Sequence, residues 1–585
     1  MSILNESLSG RISAIGGTER QTDENAGAPF DGQSYVRGST REQLAYVTIP
    51  QMLRDTVSRF GPRDAVVFSE QDVRLSYYDF DRQVDELAAG LLALGLEKGD
   101  RLGIWSPNRY EWVLTQFATA RIGIILVNIN PAYRLSELEY ALNKVSCKAL
   151  ILAPSFKSSD YVGMIRALAP ELETAKPGRL NAVKLPYLKI VAVMGAPAVQ
   201  GMYAFDELRR LGGPAQLLRL SAIDKTLSPD DAINIQFTSG TTGKPKGATL
   251  SHYNIVNNAR FVTDRIDFTE NDRLAIPVPL YHCFGMVMGV LGCVSKGAAM
   301  IFPGEAFDPV RTLDVLDKER CTAVYGVPTM FVAMLQDMEN KPRNLSALRT
   351  GIMAGAPCPV EVMRKVQSQM NMHEVTICYG MTETSPVSFQ SFTHDPLDKR
   401  CETVGRIHPH LEVKIVDAEG QIVPVGSSGE LCTRGYSVMK GYWEDQDKTA
   451  ESIHDGWMKT GDLAHFDDEG FCSIVGRVKD MIIRGGENIY PREIEEFLIT
   501  HPKIAEVQVF GVPDERYGEE VCAWITLPPG VELGEEDVRD FCKGQIAHYK
   551  VPRYVRVVSE FPMTVTGKAQ KFVMRKTMED ELATS

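Results

Sequence analysis

The chain has 585 residues, a length that predicts several domains rather than a single hydrophobic core. Its hydrophobic fraction of 44% and charged fraction of 24% are typical of a globular protein without membrane spans. The formal net charge of −13 argues against nucleic acid as a general partner, and no apolar run reaches the ~18 residues of a transmembrane helix. The 11 cysteines are scattered without metal-ligand spacing, which indicates reduced thiols in a cytoplasmic protein.

The first forty residues differ in composition from the rest. They are rich in Ser, Gly, Asp, Glu and Asn and lack the apolar core of a secretory signal. Arg11 and Arg20 are few, and acidic Glu6 and Glu19 lie near them, which is a poor composition for a transit peptide. We therefore expect a flexible or loosely docked arm over residues 1–40.

Residues 41–193 alternate between helix-like and strand-like segments. Ile49–Phe60 has the apolar spacing of an amphipathic helix, and Asp64–Phe68 is a short apolar run typical of a buried strand. Strands that alternate with helices predict parallel sheets covered by helices. The further predicted segments are helices at 78–94, 110–120, 135–145 and 161–168, and strands at 73–77, 99–105, 124–128, 148–153 and 188–193.

The stretch at 237–247 follows an apolar strand and carries four hydroxyl residues, three glycines and two lysines. Glycines leave backbone N–H groups free to turn toward an anion, so the pattern predicts a polyphosphate-binding loop. It is not an ordinary P-loop, because only two residues separate Gly240 from Gly243 and a proline follows Lys244. The alternative is a solvated turn. The predicted phosphate-binding residues are Thr238, Ser239, Gly240, Thr241, Thr242, Gly243, Lys244, Pro245, Lys246 and Gly247.

This loop resembles the signature of the acyl-adenylate-forming enzymes, which include acyl-CoA synthetases, peptide adenylation domains and luciferases. The resemblance extends over nearly the whole chain beyond the first thirty residues. Between 34 and 152 it is similar to the acyl-CoA synthetase family member 2 type, which implies a medium-chain fatty acid as substrate. The strings that carry this similarity are Gly99-Asp100-Arg101, Trp105-Ser106-Pro107-Asn108, Asn128-Ile129-Asn130-Pro131-Ala132-Tyr133 and Glu137-Leu138-Glu139-Tyr140.

The segment 276–285 is a motif that contains His282, and the apolar run 284–294 is predicted to be a buried helix. Gly285, Gly289 and Gly292 are spaced to share one face of such a helix. Either tight helix packing or the wall of an acyl tunnel explains them, and the family resemblance favours the tunnel. It also implies that His282 lies beside the substrate carboxylate. No acidic residue stands in this motif, which argues against an amino acid substrate.

Two strand-to-turn motifs follow. The turn Gly355-Ala356-Pro357 is expected to edge the adenine ring, as the resemblance implies. In the motif 379–384 the Tyr379 ring suits adenine stacking. Thr382 suits the α-phosphate, and Glu383 suits Mg²⁺, which takes one or two carboxylates together with phosphate oxygens. Gly380 and Met381 are expected to contact the acyl chain or the adenylate.

Residues 403–476 change to short alternating strands with Gly and Asp turns, which predicts a small β-barrel subdomain. Within it Asp462 is the expected ribose ligand, by the logic that places an acidic residue on ribose in dinucleotide folds. The resemblance implies that Arg477 contacts the ribose and that Lys479 is a hinge between residues 41–478 and a C-terminal domain, 479–585.

The C-terminal domain is predicted to be a small α+β unit, with helices at 493–500 and 535–546 and strands at 507–512 and 520–527. The resemblance directs Gly485 and Gly486 toward the pantetheine path of CoA. It also makes Lys568 the catalytic lysine. The alternatives are a simple hairpin turn at Gly485-Gly486 and a solvated surface charge at Lys568.

Together these observations predict an α/β protein with a large N-terminal domain of two parallel αβα subdomains plus a β-barrel, followed by the C-terminal domain on a hinge. The expected function is that of an acyl-CoA synthetase, which uses a fatty acid, ATP, Mg²⁺ and CoA. The sequence is compatible with a homodimer. A ligase that delivers the acyl group to a carrier protein is one alternative. A catalytically inactive acyl- or AMP-binding protein is the other.

Overall fold

A computed structural model describes residues 26–195, 197–238, 245–356, 358–484, 487–563 and 569–584. The strands, in chain order, are β1 (Tyr35–Arg37), β2 (Asp64–Phe68), β3 (Val73–Ser76), β4 (Arg101–Trp105), β5 (Ile125–Asn128), β6 (Ala149–Leu152), β7 (Ser155–Phe156), β8 (Ser159–Asp160), β9 (Ile190–Val193), β10 (Tyr203–Ala204), β11 (Ala232–Thr238), β12 (Lys246–Ser251), β13 (Arg273–Ala275), β14 (Ala299–Phe302), β15 (Ala323–Gly326), β16 (Thr350–Ala354), β17 (Glu374–Gly380), β18 (Val387–Gln390), β19 (Arg406–Ile407), β20 (Leu411–Val416), β21 (Gly429–Gly435), β22 (Gly441–Tyr442), β23 (Ile453–His454), β24 (Trp457–Phe466), β25 (Cys472–Arg477), β26 (Ile482–Arg484), β27 (Glu487–Ile489), β28 (Glu506–Asp514), β29 (Gly518–Thr526) and β30 (Tyr554–Val557).

The α-helices are α1 (Ile49–Phe60), α2 (Tyr77–Ala93), α3 (Tyr110–Arg121), α4 (Leu135–Lys144), α5 (Tyr161–Leu168), α6 (Phe205–Leu211), α7 (Pro214–Asp224), α8 (His252–Asp264), α9 (Gly292–Lys296), α10 (Pro309–Lys318), α11 (Pro328–Asn340), α12 (Val360–Gln369), α13 (Leu397–Glu402), α14 (Gln446–Ser452), α15 (Pro491–Leu498), α16 (Glu535–Cys542) and α17 (Lys571–Thr584). A π-helix spans Phe284–Leu291, and 3₁₀ turns span Pro170–Glu173, Thr382–Thr384 and His548–Lys550.

An eight-stranded sheet carries the phosphate-loop strands. Its order is β10-β9-β6-β4-β5-β11-β12-β22, parallel from β10 to β11 and antiparallel beyond. Strand β6 is buried throughout, as expected for a parallel strand covered by helices on both faces. This is one of the two predicted parallel αβα layers.

A nine-stranded sheet forms the second layer, in the order β19-β18-β17-β16-β15-β13-β14-β2-β3. The strands from β17 to β2 are parallel, and antiparallel strands close both edges. Helix α1 packs against α2, α3 and α9, and it begins at a capping box in which Thr48 and Gln51 exchange hydrogen bonds. The second predicted αβα layer is therefore present.

The smaller β subdomain is a six-stranded antiparallel sheet that forms a barrel-like half. Its path runs β1-β20-β21-β24-β23, and β25 pairs with β24. Strand β1, which the sequence analysis places in the N-terminal arm, pairs with β20 in register Val36↔Val413. Residues 35–37 are thus part of the β subdomain, because buried Val36 supplies an apolar contact to its core.

The C-terminal residues form a separate α+β unit. Its five-stranded sheet has the order β27-β26-β29-β28, with β30 beside β29. The turn 478–480 separates it from β25, so the predicted hinge residue Lys479 lies between the two sheets. Within the described ranges, none of the helices combines the length and apolar character that crossing a bilayer would require.

The segment predicted as one buried helix at 284–294 is a π-helix that continues into α9. It is buried as expected. The hydrogen bonds of a π-helix reach i→i+5, so the α-helical spacing used to place three glycines on one face does not apply to Gly285 and Gly289.

Candidate active site

The segment predicted to bind phosphate lies, in the sequence, between two strands that pair with each other. Thr238 at the end of β11 faces Lys246 at the start of β12. Residues Ser239, Gly240, Thr241, Thr242, Gly243 and Lys244 lie outside the described residues. At the base of the hairpin, Gly247 accepts a hydrogen bond from the Trp443 N–H at 2.7 Å, while Pro245 is half-buried.

Glu383 lies directly against this hairpin. It is only 5% exposed, and its Oε1 accepts hydrogen bonds from Thr238 Oγ1 at 3.1 Å and from the Tyr442 hydroxyl at 2.9 Å. Tyr442 in turn accepts from Lys246 Nζ at 2.9 Å, and that ammonium lies 4.2 Å from the centre of the tyrosine ring. We call Thr238, Lys246, Glu383 and Tyr442 the phosphate cluster.

Charge and burial shape the phosphate cluster. Burial lowers the pKa of Lys246, and the Glu383 carboxylate opposes that shift. Burial also raises the pKa of Tyr442, with Glu383 adding to the effect, so the phenol stays protonated and donates to the carboxylate. The Lys246 ammonium and the Glu383 carboxylate thus both hydrogen-bond the Tyr442 hydroxyl. A cation and phosphate oxygens could both be accommodated there.

Thr382 precedes Glu383 at the start of a 3₁₀ turn and is 8% exposed. Burial raises the pKa of Cys283, in the turn that carries His282, and the nearby Thr382 side chain opposes that shift. The Glu383 carbonyl accepts the Met439 N–H at 2.9 Å, which fixes the backbone of the motif. The two predicted motifs at 282 and 382 therefore meet in space.

A second group of side chains surrounds Asp462, which is 8% exposed. Its Oδ2 accepts the Tyr379 hydroxyl at 2.5 Å, and its Oδ1 accepts Arg477 Nε at 3.0 Å. Burial, followed by Asp462, raises the pKa of Tyr379 well above its usual value. A carboxylate offers about four lone-pair positions, so Asp462 retains capacity for ribose hydroxyls. We call Tyr379, Asp462 and Arg477 the nucleoside cluster.

The small-residue turns near these clusters have identifiable neighbours. Gly355 follows β16 and has a φ of +90°, a conformation that favours glycine, and exposed Ala356 comes next. Pro357 lies outside the described residues. A Cβ added to Gly380 would lie 1.8 Å from the Pro386 carbonyl oxygen. Its close approach is thus to the protein's own backbone, while neighbouring Met381 is half-buried.

His282 and the three glycines of the expected acyl pocket lie on the segment that leads into α9. His282 is half-buried, and its Nδ1 accepts the Phe284 N–H at 3.2 Å. A Cβ at Gly285 would lie 2.4 Å from the Pro279 carbonyl, one at Gly289 3.1 Å from Ile276, and one at Gly292 2.9 Å from the Thr263 methyl. These glycines allow tight packing against three different neighbours, and the acyl tunnel stays a prediction.

Other predicted residues fall outside the described ranges or near the hinge. Gly485, Gly486 and Lys568 lie outside the described residues. Lys479 lies in the turn after β25, and its charge contributes to lowering the pKa of Lys246. Arg492 at the start of α15 donates to the Ile474 carbonyl, so this C-terminal helix contacts β25, the strand that ends at Arg477.

Sequence reasoning missed Tyr442. It stands on β22, which reaches the phosphate hairpin through the pairing Ala248↔Tyr442. Its only sequence signal is the Gly-Tyr pair at 441–442, which is indistinguishable from an ordinary strand end.

Solved structures with this fold include CoA ligases. The anthranilate CoA ligase AuaEII, in complex with anthranoyl-AMP, superposes with a TM-score of 0.79 at 25% identity, covering 93% of this chain and 99% of that one. ATP-bound MatB from Rhodopseudomonas palustris gives 0.76 at 28% identity, covering 91% and 99%. Fold and site together define an enzyme of the adenylate-forming class.

The AMP-binding enzyme family model matches residues 53–443, and the AMP-binding enzyme C-terminal domain model matches residues 493–568. The chain belongs to the AMP-binding enzyme family. It is 51% identical to "Medium-chain acyl-CoA ligase ACSF2, mitochondrial" of Danio rerio, over 94% of this chain and 91% of that protein. It is 46% identical to the protein of the same name from Homo sapiens, over 97% and 93%. "Putative acyl-CoA synthetase YngI" of Bacillus subtilis is 48% identical over 92% and 98%.

These similarities confirm the predicted family and acyl-CoA ligase activity. The animal relatives are named as mitochondrial, so the prediction of a cytoplasmic protein is wrong. That prediction rested on the scattered cysteines and on the composition of residues 1–40, where a few arginines beside glutamates were read as evidence against targeting. Net composition was too coarse a criterion for that conclusion.

Proposed function

We propose that this acyl-CoA ligase acts on medium-chain fatty acids through the two clusters described above. The observation that carries the proposal is the phosphate cluster, in which Glu383 is bonded to both Thr238 and Tyr442 beside the Lys246 ammonium. The chain-length class comes from relatives at 46–51% identity that are named medium-chain acyl-CoA ligases.

In the first half-reaction an oxygen of the fatty acid carboxylate attacks the α-phosphorus of ATP. The bond from that phosphorus to the bridging oxygen of pyrophosphate breaks, which gives acyl-AMP and pyrophosphate. Lys246 and Thr382 hold phosphate oxygens, and the nucleoside cluster holds the ribose. Catalysis of this kind relies on orientation and on preorganised charge rather than on a covalent nucleophile.

Mg²⁺ fits Glu383 as its one carboxylate ligand. Among the described residues no group of three or more His, Cys, Asp or Glu is arranged to hold a metal ion. A Mg²⁺ ion bound by one carboxylate and phosphate oxygens is the usual arrangement at nucleotide sites. When bound, the ion offsets negative charge on the phosphates. The chain's own contribution is to keep the Glu383 carboxylate oriented by Thr238 and Tyr442.

In the second half-reaction the CoA thiol, as thiolate, attacks the acyl carbonyl, and AMP leaves with its phosphate oxygen. We assign this step to a rearranged site in which the C-terminal residues turn about Lys479. In this proposal Lys568 serves the adenylation step before the rearrangement. After it, Gly485 and Gly486 line the path of the pantetheine arm.

A substrate panel tests this function. Acid-dependent ATP–pyrophosphate exchange is measured over straight-chain acids of increasing length, and thioester formation is measured with CoA and with a free acyl carrier protein. We expect an optimum at medium chain length and CoA as acceptor. Exchange with transfer only to the carrier protein would favour the carrier-protein ligase. Binding of AMP without exchange would favour the inactive binding protein.

A further inference from the structure

The turn that carries His282 is held on both sides by a chain of buried amides. Cys283 Sγ donates to Gln236 Oε1 at 3.2 Å, and Gln236 Nε2 donates to Asn234 Oδ1 at 2.8 Å. Asn234 Nδ2 donates to Asn128 Oδ1 at 3.0 Å, and Asn128 Nδ2 donates to the Tyr281 carbonyl at 2.9 Å. This series of hydrogen bonds thus begins at Cys283 and ends at Tyr281, the two sequence neighbours of His282. We call Gln236, Asn234 and Asn128 the amide relay.

The relay is built from the sheet. Gln236 and Asn234 alternate along β11, and Asn128 is the register partner of Gln236 on parallel strand β5, so all three side chains project from one face. They are 1–3% exposed. Isolated buried amides are costly unless they are hydrogen-bonded. A row of three in the middle of a sheet is therefore a demanding arrangement.

The direction of the relay is fixed. Asn234 Nδ2 also donates to the Leu126 carbonyl at 3.0 Å. Turning the Asn234 amide over would bring its oxygen against that carbonyl and against Asn128 Oδ1. Both amide nitrogens nearest the His282 turn, those of Asn128 and Gln236, also contact Met286 Sδ at 3.2 Å. The relay therefore has one hydrogen-bonded arrangement, and that arrangement contacts the Tyr281 carbonyl, the Cys283 thiol and the Met286 sulfur.

We infer that the amide relay is a positioning device that sets His282 toward the carboxylate of the fatty acid. This inference rests on the proposed function, in which His282 lies beside that carboxylate. The relay does not touch substrate. It acts through the Tyr281 carbonyl and the Cys283 thiol on either side of His282. A displacement of about 1 Å at a positioned group can cost about 10²-fold in rate.

The experiment compares Gln236→Met with His282→Ala and with the double variant. Gln236→Met keeps the length and burial of the side chain and removes its hydrogen bonds. We expect kcat/KM for octanoate in pyrophosphate exchange to fall about 10- to 100-fold, with the KM for ATP near that of the parent. The double variant should be no worse than His282→Ala alone, because the relay acts through His282.

A matched control keeps a loss of stability apart from a loss of positioning. Asn257 is a fully buried amide on α8 that exchanges hydrogen bonds with the backbone of Ala45, at 2.7 and 2.9 Å. Asn257→Leu and Asn234→Leu are the same chemical change, and both should lower the melting temperature. Only Asn234→Leu should change the kinetics with octanoate. Cys283→Ala, a milder change that removes the first donor of the relay, should show the same selective loss with smaller amplitude.

Three outcomes have distinct meanings. Parent-like octanoate kinetics in Gln236→Met alongside an impaired His282→Ala would overturn the relay alone. Independent, multiplying losses in the double variant would likewise overturn it, since two separate effects combine that way. Normal octanoate kinetics in His282→Ala would overturn the role of His282, and the relay's purpose with it, while leaving the acyl-CoA ligase activity in place.

Discussion

The Tyr442 hydroxyl donates to Glu383 Oε1 at 2.9 Å and accepts from Lys246 Nζ at the same distance. One phenol therefore connects the predicted metal ligand to the last lysine of the phosphate loop. Its hydrogen can go only to the carboxylate, because the ammonium has no acceptor. The orientation of Glu383 thus depends on a residue outside every predicted motif.

Tyr442→Phe should weaken adenylation. Hydrogen bonds to charged groups contribute about 1.5–3 kcal/mol, so kcat/KM for ATP in pyrophosphate exchange should fall by about 10- to 100-fold. Tyr436→Phe is the control, because Tyr436 is a buried tyrosine whose hydroxyl accepts a hydrogen bond from the neutral Asn258 amide at 3.3 Å. An equal loss of activity in both variants would contradict the assignment of Tyr442 to the site.

Glu383→Gln tests the metal assignment. The amide keeps the shape of the side chain and removes its charge, so pyrophosphate exchange should fall strongly and the concentration of Mg²⁺ for half-maximal exchange should rise. Circular dichroism and the melting temperature should stay close to those of the parent. Normal exchange at low Mg²⁺ would remove Glu383 from the metal site.

Sequence patterns predicted the site where its residues lie in short motifs. Thr238, Glu383 and Asp462 were each named from a local string and Arg477 from the family resemblance, and the structure brings the four into two clusters. Tyr442 was missed because its position depends on β22 pairing with β12, almost two hundred residues earlier in the chain. Local patterns carry little information on such long-range pairing.

The fold shows the same division between local and long-range information. The bounds of α1 and α5 were predicted from apolar spacing to the residue. Strand β1 was not predicted, because three residues in a polar arm become a strand only through β20. The π-helix was predicted as an ordinary helix, since a continuous apolar run has no period that distinguishes the two.

His252 should make the fold sensitive to acid. It is fully buried at the start of α8, and its Nδ1 accepts the Ile49 N–H at 3.1 Å. Burial lowers the pKa of His252 to about 3. The unfolded chain takes up a proton near pH 6.5, whereas the folded chain does not. This contribution to stability is therefore complete above pH 6.5 and decreases as pH falls toward 3, by at most about 1.4 kcal/mol per pH unit.

Thermal denaturation at a series of pH values measures this effect. His252→Gln should be less stable than the parent at neutral pH and should lose less stability per pH unit between about pH 6.5 and about pH 4.5. His454→Gln, at an exposed histidine, is the control. If parent and His252→Gln lose stability in parallel over that range, another group is responsible for the acid sensitivity.

Larger side chains at Gly289 and Gly292 should show whether these glycines line an acyl tunnel or allow tight helix packing. A side chain at Gly289 must displace the flexible end of Ile276, 3.1 Å from the added Cβ. We expect Gly289→Leu to shift the preferred acid to shorter chains. At Gly292 the Thr263 methyl is 2.9 Å away, so Gly292→Leu should mainly lower the melting temperature. An unchanged chain-length profile with a lower melting temperature in both variants would favour helix packing throughout.

The two half-reactions should separate when Lys568 and Gly486 are changed. If Lys568 acts only on the phosphate, its charge matters for adenylation and not for thiol attack. Losing one positioned charge-stabilising donor costs about 10²–10³-fold in rate, so Lys568→Ala should slow acyl-AMP formation by about that factor. Supplied with preformed acyl-AMP and CoA, this variant should form thioester near the parent rate. Acetylation of Lys568 should have the same effect, because the ammonium charge is lost.

Gly486→Trp should slow thioester formation and spare adenylation, because bulk on the pantetheine path blocks CoA. Single-turnover measurement of both steps on both variants is the test, and equal damage to both steps in both variants would indicate one fixed active site instead of a C-terminal domain that turns about Lys479.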